Sequence, residues 1–202
     1  MTTDHFAQKA GTYEQNPKRV ENVDNISNAI LSTISLNPAM HIMDFGSGTG
    51  LLLERIAPHV AKITAVDVSK AMIEQLNGKL HRLPCAVEML EVDLETAHLD
   101  HKFDGIISSM TLHHIRDIPA IFKKFHDLLK PGGFIALADL DSEDGSFHTP
   151  GTEGVHHHGF DRDALASVAQ DAGFNHIQMT TASVLDRPNG AYPVFLLTAT
   201  AS

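Results

Sequence analysis

The chain of 202 residues has one cysteine, Cys85, no tryptophan, two tyrosines, and 15 lysines and arginines against 25 aspartates and glutamates. A single cysteine excludes an internal disulfide and offers no partner for a thiol metal site or redox pair, which fits a reducing, cytoplasmic setting. Cys85 therefore reads as a small residue near the start of a strand, and no metal centre is expected. The formal charge is −10. Adjacent basic residues are limited to Lys18-Arg19 and Lys123-Lys124. Nucleic-acid binders concentrate such residues on one face, because phosphate neutralisation supplies most of their affinity. The balance argues against DNA or RNA and leaves a small molecule as the expected partner. No apolar run approaches the roughly 20 residues that cross a bilayer, so no membrane partner is expected either. Met1-Thr2-Thr3-Asp4-His5 lacks the basic-then-apolar pattern of a signal segment. Repeats, low-complexity tracts and linkers are also missing. Residues 1–202 therefore read as one domain, with enough chain to bury a substantial core. Nothing in the sequence sets an oligomeric state.

Against these scarcities stands one dense feature. The apolar run Met40-His41-Ile42-Met43 ends in Asp44-Phe45 and breaks into Gly46-Ser47-Gly48-Thr49-Gly50, after which Leu51 to Val60 is amphipathic. This reads as a buried strand, a tight turn and a helix. Glycines at alternate positions permit positive φ and let a ligand approach the backbone without meeting a Cβ. Open α/β sheets bind nucleotide-like ligands at such a turn. The dinucleotide fingerprint G-x-G-x-x-G/A requires a small residue where this chain has Leu51, so the spacing tells against a nicotinamide cofactor while leaving it open.

Later strands repeat the theme of an acid at the tip. Ala61 to Val66 ends in Asp67, about twenty residues beyond the glycines, where a carboxylate can accept both hydroxyls of a ribose. The competing role, capping the helix Lys70 to Leu80, suits Ser69 better. Ala86 to Val92 ends in Asp93-Leu94, placed either to hold an adenine or to make an ordinary turn. Phe103 to Met110 forms a fourth strand, followed by Thr111-Leu112-His113-His114-Ile115. A helix from Ile118 to Leu129 is stopped by Pro131, and Gly132-Gly133 turns the chain into a fifth strand.

Taken together, Asp44 to Gly50, Asp67, the Asp93-Leu94 pair and Leu129-Lys130-Pro131-Gly132-Gly133 resemble, in order and spacing, the class I S-adenosylmethionine-dependent methyltransferases that act on small molecules. The resemblance covers residues from about 40 to 200. It implies a doubly wound α/β Rossmann-like fold whose seven-stranded, mostly parallel sheet runs 3-2-1-4-5-7-6 with strand 7 antiparallel. It also implies S-adenosylmethionine as cofactor. The implied cofactor-binding set is Asp44, Gly46, Ser47, Gly48, Thr49 and Gly50 in the loop, Asp67, Val68 and Met72 for the ribose side, Asp93 and Leu94 beside the adenine, and Ser109 and Met110 after the fourth strand. Tyr13, in Ala10-Gly11-Thr12-Tyr13, resembles the aromatic of an N-terminal lid. A surface tyrosine in a flexible tail is the other reading. The Pro-Pro-aromatic sequence that the family's DNA adenine methyltransferases carry after the fourth strand is missing.

The expected organisation is a lid and helix over 1–38, with apolar spacing from Asn22 to Ile34, and a catalytic core over 39–202. Within that core, an acidic, glycine-rich loop over 141–159 faces the acceptor. Asp161 caps a helix from Arg162 to Asp171, and two strands, Asn175 to Thr181 and Pro193 to Thr200, finish the sheet. Methyl transfer to a protonated acceptor benefits from a base of near-neutral pKa, and histidine is the usual one. Among 14 histidines, His113 and His114 follow the fourth strand and are the catalytic candidates; the alternative is that they simply begin the next turn. His148 and His156-His157-His158 lie in the later loop. Three consecutive residues cannot all converge on one tetrahedral ion. The acids Asp139, Asp141, Glu143 and Asp144 suit either a cationic acceptor or a solvated turn. Two other functions stay open: a nicotinamide-dependent oxidoreductase, and a non-catalytic protein that binds S-adenosylmethionine.

Overall fold

Short apolar runs alternate with amphipathic ones, and the alternation builds a sheet wound on both faces. The computed structural model describes Asp4, residues 6–148 and residues 152–202. Strands β1 (His41–Phe45), β2 (Lys62–Asp67), β3 (Ala86–Glu91), β4 (Phe103–Ser109), β5 (Leu129–Leu140), β6 (Phe174–Arg187) and β7 (Gly190–Ala201) form one seven-stranded sheet. The order is β3-β2-β1-β4-β5-β7-β6, as expected. The first five are parallel, and β7 runs antiparallel to both β5 and β6. Ile42, Met43, Ile63, Ile106 and Ile107 are fully buried, because parallel strands have helices on both sides.

Helices α1 (Pro17–Thr33), α2 (Leu51–Ile56) and α3 (Lys70–Asn77) supply Val23, Ile26, Leu53 and Leu76 to the core on one face. On the other face, α4 (Ile118–Leu128) and α5 (Arg162–Asp171) pack Phe122, Phe125 and Leu165. Asp161 caps α5 through Ala164 N–H at 2.9 Å.

Several boundaries differ from expectation for local reasons. The first helix starts at Pro17 and not at Asn22: Asn16 accepts hydrogen bonds from Lys18 and Arg19 N–H at 3.1 and 3.4 Å, and proline suits the first turn. Apolar spacing reported only the packed part of that helix. The segment before it forms a 3-10 turn over Ala10–Gln15 with Ala10 buried, so this part of the expected flexible tail is ordered. Strand β5 begins at Leu129, and the register slip between Phe103 and Gly105 of β4 accommodates Pro131-Gly132-Gly133. β6 and β7 run past their expected limits to a turn at Pro188-Asn189. That extension carries Arg187 toward the carboxyl ends of the parallel strands.

Candidate active site

The carboxyl ends of β1 and β4 and the N-terminal segment enclose a cavity of about 700 Å³. At its floor the chain leaves β1 through Gly46, Gly48 and Gly50, all with positive φ. Gly46 and Ser47 N–H donate to the Val66 carbonyl at 2.8 and 3.1 Å, tying the turn to β2. A Cβ on Gly46 would strike the Thr111 side chain, whereas one on Gly48 would meet nothing within 4 Å. The first glycine is therefore needed for packing, and the second leaves open space where a ligand backbone can approach. Gly50, expected in the cofactor set, lies outside the cavity lining. Its Cβ position is filled by Leu76 of α3, so its smallness serves helix packing.

Tyr13, Asp44, Gly46, Ser47, Gly48, Thr49, Ser109, Met110, His113 and His114 all line this one cavity. Five buried oxygens among its lining residues have no hydrogen-bond partner among the described residues: Asn22 Oδ1, Asp44 Oδ2, Ser47 Oγ, Thr49 Oγ1 and Ser109 Oγ. A buried polar atom left unpaired costs about 1–3 kcal/mol, and such atoms facing a shared cavity mark a place where a polar ligand completes them. Burial pushes the Asp44 carboxyl up to about 8, with the negative charge of Asp67 adding to the effect. A cationic group beside Asp44 would remove that penalty. Met110, at φ 58°, is a non-glycine residue in left-handed backbone, held by its N–H on the Ala138 carbonyl at 2.8 Å. Strain of this kind collects at functional sites.

The remaining predicted residues, Asp67, Val68, Met72, Asp93 and Leu94, do not line the cavity. Asp67 accepts from Gly48 N–H at 2.7 Å and from Ser69 N–H at 2.8 Å, while Ser69 caps α3 through Met72 N–H. Burial raises the Asp67 pKa, and those hydrogen bonds oppose the rise. Asp4 bonds Ser69 Oγ at 2.9 Å, laying the N-terminal segment along this edge. Val68 is exposed, and Met72 is buried. Asp93 makes an ordinary turn to Glu95 N–H at 2.9 Å, and Leu94 is buried in the apolar core with Phe45 and Val66. Tyr13 is ordered: Arg19 stacks on its ring at 3.9 Å, and burial raises its phenol pKa.

At the other end of the cavity the histidines separate into distinct roles. His113 is buried, and its Nδ1 lies 2.7 Å from Asp139 Oδ1, while its backbone N–H donates to Asp139 Oδ2 at 3.2 Å. Burial opposes ionisation of Asp139, yet the charge and hydrogen bond of His113, with two backbone N–H groups, hold its carboxyl below the usual range. His114 Nδ1 bonds the Gly154 carbonyl at 2.6 Å. The His113 ring lies 4.1 Å from that of His114 and 5.0 Å from that of His148. Burial and the neighbouring His113 bring His114 and His148 down to about 4. His156 and His157 N–H both donate to the His113 carbonyl, at 2.8 and 3.2 Å, and His158 faces Glu143. The triple histidine thus braces the loop, and among the described residues no group of three possible metal ligands converges.

The acids that suited either a cationic acceptor or a solvated turn are committed to partners within the chain. Asp139 serves His113, Asp141 grips Arg162 through two hydrogen bonds of 2.7 and 2.8 Å, Glu143 accepts from Phe147 N–H, and Asp144 from Ser146 N–H. None of them lines the cavity. Sequence reasoning missed Asn22, Arg19, Phe147 and Arg187, which do. Arg19 and Asn22 come from α1, Phe147 from the loop after β5 and Arg187 from the end of β6, and only the fold brings them together.

The methyltransferase domain family matches residues 16–179, most of the chain and the whole of this site's floor. The chain belongs to that family. The chain is 28% identical over 183 residues to an uncharacterized methyltransferase of Schizosaccharomyces pombe, covering 83% of its own length and 64% of the relative's. It is 31% identical over 152 residues to phosphoethanolamine N-methyltransferase 1 of Arabidopsis thaliana, covering 71% of itself and 30% of that protein. The chain thus spans less than two thirds of the length of these curated relatives. Its fold matches phosphoethanolamine N-methyltransferase 2 of Haemonchus contortus in complex with S-adenosyl-L-methionine, with a TM-score of 0.73 at 14% identity over 100% of this chain and 60% of that one. The class is that of S-adenosylmethionine-dependent methyltransferases, which leaves the nicotinamide-dependent oxidoreductase without support. No helix among the described residues is long and apolar enough to cross a membrane.

Proposed function

We propose that the chain transfers a methyl group from S-adenosylmethionine to a small-molecule acceptor, with His113 as the base. The observation that carries the reading is a single cavity lined by both the unpartnered oxygens of Asn22, Asp44, Ser47 and Thr49 and the His113 ring on Asp139. The residues fit the cofactor's chemistry: Asp44 and Asn22 offer oxygens to an ammonium group, Gly48 leaves backbone room, and Asp67 is a carboxylate suited to a ribose diol. When bound, the cofactor supplies a methyl group already activated on a sulfonium. The protein's task is then alignment and exclusion of water, which can be worth about 7–11 kcal/mol. Tyr13 and the N-terminal segment cover the site for the second purpose.

His113 has a defined proton geometry. An ionised Asp139 can only accept, so Nδ1 of His113 carries the proton between them, and it is the neutral form of the ring, with its lone pair on Nε2, that would act as the base. That nitrogen takes a proton from the acceptor as its nucleophilic atom attacks, and Asp139 stabilises the resulting imidazolium. The relative named for phosphoethanolamine places a small acceptor among the substrates of similar proteins.

Side-by-side calorimetric titration with S-adenosylmethionine, S-adenosylhomocysteine and NAD tests the first half; binding of the sulfur compounds alone is expected. A labelled-methyl screen of small acceptors tests the second. On any acceptor that turns over, His113→Ala and Asp139→Asn should cut kcat by about 10²–10⁴. Cofactor binding with no methylation across the screen would instead support a non-catalytic binding protein.

A further inference from the structure

The acidic chain turns basic at this cavity. Its lining holds Lys9, Lys18, Arg19 and Arg187, four of the 15 basic residues, but only Asp44, Glu153 and Asp186 of the 25 acidic ones. Asp44 lies on the buried floor, so the outer part carries a surplus of positive charge. Arg187 is fixed without the help of any carboxylate. Its guanidinium lies over the Phe147 ring at 3.8 Å and donates through Nη1 to the Phe147 carbonyl at 2.6 Å. Arg19 is held the same way, over Tyr13 and on the Tyr13 carbonyl. No salt bridge to either arginine is present among the described residues. Burial depresses the Arg187 pKa, Tyr192 opposes the change, and the nearby charge of Arg19 adds to it, which places the two guanidinium groups close to each other. A stacked guanidinium keeps its remaining N–H groups in a fixed fork that matches carboxylate or phosphate oxygens.

The position of this fork ties it to the chemistry. From Arg187 the path runs over Phe147 at 3.8 Å, to His148 at 4.9 Å and to His113 at 5.0 Å between ring centres. Arg187 and His113 line the same cavity with these two rings between them, so one bound acceptor can meet the arginine at one end and the base at the other.

We propose that the methyl acceptor carries an oxyanion, a carboxylate or phosphate, which Arg187 grips with Arg19 beside it while the nucleophilic atom faces His113. The assignment rests on the methyl-transfer reading and names its substrate class. It differs from the cationic acceptor that was one of the two readings of Asp139, Asp141, Glu143 and Asp144.

The test uses the whole chain saturated with S-adenosylhomocysteine and, as probes, inorganic phosphate and malonate at constant ionic strength. Calorimetry and the His113 and His148 ring proton shifts in NMR report binding. Saturable binding of at least one probe is expected, with the better of the two telling phosphate from carboxylate. Arg187→Gln should weaken it by about tenfold or more, and Arg187→Lys by less, since a lysine keeps the charge and loses the fork. Because Arg187 is exposed at the very end of β6, both variants should keep the wild-type Tm and the wild-type affinity for S-adenosylhomocysteine. Equal probe binding by Arg187→Gln would overturn the assignment. So would a matching loss of S-adenosylhomocysteine affinity, which would give the arginine to the cofactor's own carboxylate. Failure of the wild-type protein to bind S-adenosylhomocysteine would sink the methyl-transfer reading itself, and is seen before any probe is added.

Discussion

Replacing Asp44 with asparagine should make the ligand-free protein more stable and the cofactor site useless. Asp44 is fully buried with one unpartnered oxygen, and burial pushes its carboxyl from 3.8 up to about 8. An acid whose folded-state pKa is raised binds a proton that the unfolded chain has released, so stability falls as pH rises between the two values and levels off above about 8. His114 and His148, both near 4 in the folded state, contribute only below about 6.5. In the window from pH 6.5 to 8 the histidines drop out, and comparison with Asp44→Asn cancels what the two proteins share, the raised Asp67 carboxyl included. Across about 1.5 pH units at 1.36 kcal/mol each, wild type should lose up to about 2 kcal/mol relative to Asp44→Asn. For a domain of this size that is about 4–8 °C in Tm. The measurement is a pair of denaturation curves, variant and wild type, at both ends of the window, with S-adenosylhomocysteine titrated in parallel. Parallel pH profiles for the two proteins would refute the claim that Asp44 is held protonated by burial. Undiminished S-adenosylhomocysteine affinity in the variant would remove it from the site.

Three further outcomes follow from the same geometry. On the acid side, His114 and His148 have lowered pKa values, so stability is present above about 6.5 and is lost as pH falls toward 4; His148→Gln should flatten part of that limb. Gly46→Ala should destabilise the fold by about 1–3 kcal/mol, since it combines positive φ with a collision on Thr111, whereas Gly48→Ala should cost less stability yet lose S-adenosylhomocysteine affinity. A Gly48→Ala variant with normal affinity would contradict the placement of the ligand. Asp67→Ala should weaken S-adenosylhomocysteine binding by roughly ten- to a hundredfold, about 1.5–3 kcal/mol, as the loop loses the acceptor for Gly48 N–H and a ribose loses its carboxylate.

The loop Asp44 to Gly50 was legible because a positive-φ turn admits few residues and its glycines stand in a row. The order of the sheet came from resemblance, since periodicity marks a strand without saying which strand lies beside it. The last two strands were legible, but their extension into a long β6–β7 hairpin was not: an edge strand alternates between exposed and half-buried residues, and Ser183 to Arg187 has no apolar rhythm that marks it off from loop. The start of α1 was hidden for a similar reason, as its first turn is polar and announced only by Asn16-Pro17. Gly50 and Leu94 carry the family pattern, yet their side-chain positions are taken up by packing against Leu76 and the apolar core.

By itself the sequence determined the fold class, the glycine turn after the first strand and the pairing of an acid with each early strand tip, because these depend on residues adjacent in the chain. What only the tertiary structure decided are relations across distance. His113 meets Asp139 from 26 residues away. The loop acids turn away from the cavity toward Arg162 and backbone N–H groups, and Arg187 arrives on a hairpin to face Arg19. Local propensity contains no information about such meetings, since each depends on where two separately formed elements come to rest against the sheet.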